Sequence, residues 1–102
     1  MSNTDLRCND ITLLLCGRQV PTWRYNSLRD HVRRRRSELE PCRPYNLRRI
    51  CGEQYWSGLG GFKTFAGIIM AELVDLELVP YSFASGRHEK PLWYWIEPER
   101  RY

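Results

Sequence analysis

The chain has 102 residues, enough for one domain. Its 42% hydrophobic and 13% aromatic content can furnish a real core and excludes a disordered polymer. The formal net charge of +4 is unevenly spread: residues 1–50 hold 11 Arg against 5 acids, and residues 51–102 hold 5 cations against 7 acids.

All the cations are Arg except Lys63 and Lys90. Arg carries a planar fork of donors that matches phosphate geometry, so a basic N-terminal half suits a polyanion partner. No stretch is apolar and long enough to span a membrane. The run Ile11–Cys16 is too short and poorly flanked for a signal peptide, which predicts a cytoplasmic protein. Cys8, Cys16, Cys42 and Cys51 are then expected to stay reduced. They form no CxxC pair, and His31 and His88 lie far from them in sequence, so no metal and no cofactor is expected.

Residues 1–10 read as a flexible N-terminus, 11–97 as one domain and 98–102 as a frayed tail. Ile11–Cys16 is a compact apolar run that fits either a buried strand or a short helix, and Gly17 ends it. A first helix is predicted over Leu28–Leu39, capped by Ser27, with Leu28, Val32 and Leu39 on its inner face. The run Arg33–Arg36 spreads around this helix, with the Arg35 stem along the core edge.

A second helix is predicted over Leu47–Tyr55 with Asn46 as its cap. Leu47, Ile50, Cys51 and Gln54 face inward, while Arg48 and Arg49 face outward. The glycine-rich turn Tyr55–Gly61 leads into a third helix over Phe62–Leu76. Its expected core stripe is Phe62, Phe65, Ile69, Leu73 and Leu76, with Lys63, Gly67, Met70, Ala71 and Val74 opposite. Val79–Ile96 reads as a hairpin with a charged tip over residues 85–90. Alternation puts Trp93 and Trp95 on one face of its second strand and Tyr94 on the other. The outer face could be plain solvent-exposed surface, a stacking platform for single-stranded nucleic acid or a protein interface.

No catalytic constellation emerges, so the chain is read as a binder and not an enzyme. Gly58–Thr64 ends in Lys-Thr like a phosphate-binding loop, but Phe62 stands where that motif needs glycine.

The order helix, short helix, glycine-rich turn, long helix and hairpin resembles a winged helix-turn-helix domain over Asn26–Ile96. That resemblance implies an α+β fold with a three-helix core and a C-terminal β-hairpin wing. It further implies a small DNA-binding protein, a transcriptional regulator that would be nucleoid-associated in a bacterium. By position, Lys63 and Thr64 would meet base edges in duplex DNA. Arg33, Arg34, Arg36, Arg48 and Arg49 would meet phosphates, and Arg87, His88 and Lys90 would form the wing contact. The alternative is a protein-interaction module or dimeric adaptor, using Gly67, Met70, Ala71 and Val74 to pack against a partner or a second copy.

Overall fold

The N-terminal apolar run becomes one arm of a hairpin. In the computed structural model, which describes residues 10–86 and 90–98, β1 (Ile11–Leu13) pairs antiparallel with β2 (Gln19–Pro21). Gly17 turns the chain between them at φ +91°, a conformation that side chains resist. Alternation buries Leu14 and Val20 and leaves Ile11, Leu13 and Leu15 exposed at 62%, 67% and 73%.

Helix α1 (Thr22–Arg35) follows Pro21 directly and runs on as a 3-10 turn over Arg36–Glu38. It starts six residues before the expected Leu28. The hairpin supplies the missing start signal: Thr22 donates its N–H to Asp10 O, and the Thr12 and Thr22 hydroxyls lie 2.7 Å apart. Ser27 is therefore mid-helix, where its hydroxyl bonds Tyr55 OH at 2.9 Å.

A two-residue strand, β3 (Tyr45–Asn46), precedes α2 (Leu47–Cys51) and α3 (Glu53–Gly58). The single second helix of the sequence reading is thus two helices, broken at Gly52, whose φ of +83° no helix can hold. Asn46 caps α2 as expected, its Oδ1 accepting the Arg49 N–H at 3.0 Å. Leu47, Ile50 and Cys51 are buried, and Gln54 is exposed.

A 3-10 turn over Gly60–Phe62 feeds α4 (Lys63–Asp75). Its buried arc is Ala66, Ile69, Met70, Leu73 and Val74, so the core face is turned away from the expected stripe. Phe62 and Phe65 are only half-buried, and Leu76 is exposed. Helix α4 ends in a Schellman arrangement: Leu78 N–H reaches Leu73 O, Glu77 N–H reaches Val74 O, and Glu77 takes the positive φ of 55°.

Strands β4 (Tyr81–Phe83) and β5 (Trp93–Ile96) form the C-terminal hairpin, and the sheet order is β3-β5-β4. Tyr94 of the central strand pairs with Tyr45 on one side and Phe83 on the other. The architecture is α+β, with four α-helices and two small antiparallel sheets among the described residues. Val32, Ile50, Ala66, Ile69, Met70, Leu73 and Val79 are sealed from water at its centre. Among the described residues no helix is long and apolar enough to cross a membrane.

Helix α1 grips the break between α2 and α3. Arg35 Nε donates to Ile50 O at 2.8 Å, and His31 Nε2 donates to Cys51 O at 2.7 Å. The His31 ring stacks on Tyr55 at 3.8 Å between centroids. Burial holds His31 below its ordinary value of 6.5, against the opposing pull of its bond to Cys51 O. The folded chain therefore favours the neutral ring, whereas the unfolded chain takes up a proton near pH 6.5. Stability from this group is complete above that pH and falls as the pH drops below it towards the folded value. Urea midpoints at about pH 7.5 and about pH 5.5 are expected to differ more for wild type than for His31→Gln, and equal differences would remove His31 from the account.

Candidate nucleic-acid interface

The groove-facing arc of α4 carries exposed Thr64 and Asp75 and half-buried Gly67, Ile68, Ala71 and Glu72. It forms one wall of a groove of about 780 Å³. The other walls are the β1–β2 turn with Leu15 and Arg18, the start of α2 with Asn46 and Arg48, and the base of the hairpin with Lys90 and Leu92. Three of the residues singled out from sequence, Arg48, Thr64 and Lys90, come from three distant segments and line this one groove.

The two ends of α4 differ in charge. At the N-terminal end, Arg48 holds Glu53 through two bonds, Nε to Oε1 at 2.9 Å and Nη2 to Oε2 at 3.1 Å. The Arg48 hydrogen bond is the main reason the Glu53 carboxyl lies below its usual range, and the charges of Lys63 and Arg49 act in the same direction. Arg48 binds this carboxylate directly, and Arg49 and Lys63 act on it through their charge, a local excess of positive charge. Lys63 Nζ lies 5.7 Å from the Trp56 ring centre, and Trp56 itself lines the groove. At the other end, Glu72 and Asp75 bring negative charge, and Glu72 Oε1 accepts the Leu15 N–H, tying the N-terminal hairpin to α4.

Three arginines of the run also hold the fold together through backbone carbonyls. Arg33 Nε donates to Leu78 O at 2.9 Å, and Arg36 Nε donates to Glu97 O at 3.0 Å. With Arg35 on Ile50 O, three of the four join α1 to three other segments. Arg34 alone is exposed, and none of the four lines the groove. Arg87 and His88 lie outside the described residues.

The alternative interface also changes. Met70 and Val74 belong to the buried arc of α4 and are unavailable to a partner. Gly67 and Ala71 do face the groove. The contributions of Leu15 and Arg18 escaped the sequence reading. A six-residue run whose one polar residue is Thr12 gives no clear alternation signal, and nothing local shows that its turn lies against α4.

Cys16 and Cys42 are exposed free thiols, and Cys51 is buried, its thiol pushed up to about 12 by burial. Among the described residues, no group of three or more His, Cys, Asp or Glu side chains is placed to hold a metal ion. Comparison with known proteins finds no matching family model, no similar curated protein and no similar solved structure.

Proposed function

We propose that the chain is a small winged-helix protein that binds duplex DNA, as a cytoplasmic transcriptional regulator does. The observation that carries this reading is that Arg48, Thr64 and Lys90, from three distant segments, line one groove, with the charges of Arg49 and Lys63 acting on Glu53 beside Arg48. Arg49, Lys63 and Lys90 are exposed and suited to phosphates. Thr64, in the first turn of α4, is suited to a base edge. The short strand β3 supports the same reading, because it ties the paired helices to the hairpin and holds helix and wing in one body. Glu72 and Asp75 repel phosphate, which confines contact to the N-terminal half of α4.

Fluorescence anisotropy with a random-sequence duplex, titrated across salt, tests this. Phosphate contact releases counterions, so binding is expected to weaken steeply with salt. Lys63→Ala and Arg49→Ala should weaken every duplex alike, each lowering the salt slope by about 1. Thr64→Ala should instead alter sequence preference. No binding at low salt would end the DNA reading.

A second reading, a protein-interaction module or dimeric adaptor, is favoured by one specific observation. The groove floor is apolar, with Leu47, Trp56, Ile68 and Leu92, and it continues through Leu15 to the exposed side chains of Leu13 and Ile11. A Cβ at Gly67 would meet nothing within 4 Å, so Gly67→Arg can fill the groove without disturbing the core. If a partner or second copy sits there, that substitution should lower the size-exclusion mass.

A further inference from the structure

Trp93 and Trp95 sit in the central strand of the sheet, yet they are 37% and 41% exposed. Tyr94 between them is 1% exposed and fills the core. Alternation therefore points both indoles outward, and neither is needed to seal the interior. The register then decides what lies beside them. Trp93 pairs with Asn46, the cap of α2, so its ring stands next to the first turn that carries Arg48 and Arg49. Arg43 comes from the segment leading into β3. Trp93, Arg43, Arg48, Arg49 and Glu53 line one hollow of about 380 Å³.

The charges in that hollow are not equivalent. Arg48 and Glu53 neutralise each other through their two-pronged bond. Arg43 and Arg49 remain as a positive pair, both exposed, with the Arg43 guanidinium 5.7 Å from the Tyr45 ring centre. A flat apolar ring flanked by two guanidinium groups matches a nucleotide whose base is unpaired: the base stacks on the indole and the phosphates meet Arg43 and Arg49. The volume falls within the range of small-ligand sites. Trp95, two residues along on the same face, provides a surface for the next base. A duplex cannot use such a site, because its bases already stack on one another.

We propose that the outer face of the sheet is a binding site for single-stranded nucleic acid, with Trp93 stacking a base and Arg43 and Arg49 holding its phosphates. The site goes beyond the duplex reading: of its ligand-contacting residues only Arg49 is shared, although the Arg48–Glu53 pair borders both.

The test uses a labelled twelve-residue oligo-dT and a labelled duplex at low salt, with anisotropy for affinity and tryptophan emission for stacking. Oligo-dT is expected to quench emission of the wild type, and Trp93→Ala is expected to weaken oligo-dT binding by roughly 5- to 150-fold. Trp93→Phe should keep most of the affinity, since it keeps an aromatic face. Arg43→Ala should weaken oligo-dT and lower its salt slope. Duplex affinity should be unchanged in the Trp93 variants. Binding of oligo-dT by a wild type that ignores duplex would sustain this site and end the duplex reading. The proposal is overturned if the wild type does not bind oligo-dT, or if Trp93→Ala binds it as well as wild type. A parallel loss of oligo-dT and duplex in a folded Trp93→Ala or Trp93→Phe chain also overturns it, as does preference for a phosphorylated peptide or an anionic vesicle.

Discussion

Met70→Ala should lower the unfolding free energy by about 2–5 kcal/mol, whereas Gly67→Ala, three residues away on the same helix, should raise it by roughly 0.5–1 kcal/mol. The two were expected from sequence to share one outer face. Met70 is instead fully buried, so truncation removes a thioether chain from close-packed surroundings and leaves a void. Gly67 has ordinary helical backbone and open space where a Cβ would go, so alanine adds helix propensity without a clash. Urea unfolding of the two variants reads both effects. For a domain of this size each kcal/mol moves the thermal midpoint by about 4–8 °C, so the opposite signs are separable by heat as well. Equal and small effects would mean that α4 is rotated from the arrangement described.

The position of α4 was legible in the sequence, but its rotation was not. Almost every residue from Phe65 to Val74 is apolar, so periodicity marks a helix without fixing which side is inside. Size suggested that Phe62 and Phe65 anchor the core. The core takes Ala66 instead, which is fully sealed from water. The two Phe rings stay near the rim, where the Arg24 guanidinium lies 4.9 Å from the Phe62 ring and the Arg18 guanidinium 5.8 Å from the Phe65 ring. The Asn46 cap was readable because it is a local side-chain-to-backbone bond. Strand β3 was not, since two residues carry no period and exist as a strand only through pairing with β5.

The candidate site divides the same way. Lys63, Thr64, Arg48 and Arg49 were legible as exposed residues at helix starts. The placement of Arg48, Arg49 and Lys63 about Glu53 depends on the fold at Gly52 and the turn before α4, which no local signal sets. Arg43 stood in a proline-flanked segment with no periodicity to place it, and only the Trp93–Asn46 register brings it into a site.

Removing Arg33, Arg35 and Arg36 together, each to alanine, should cost roughly 4 kcal/mol or more, because each guanidinium makes a charge-assisted bond to a backbone carbonyl. The carbonyls matter more than the charges. Leu78 follows the end of α4, Ile50 lies in the last turn of α2, and Glu97 follows β5. Each is an acceptor with no place in a regular ladder, and each is partly shielded from water. Lysine cannot substitute well, since its single ammonium lacks the Nε–H that points sideways from the stem. Arg35→Lys should therefore recover only part of what Arg35→Ala loses. Arg34→Ala should stay within about 0.5 kcal/mol of wild type, its side chain being exposed. A domain of this kind holds about 5–15 kcal/mol in total, so the triple variant would stand near unfolding under mild denaturant. Urea midpoints for the four single variants and the triple decide the matter. A triple variant as stable as wild type, with duplex affinity reduced, would return these arginines to phosphate contact. Lost stability in the triple, with duplex affinity preserved in a folded Arg33→Lys or Arg36→Lys variant, would fix them as clamps that join α1 to the rest of the chain.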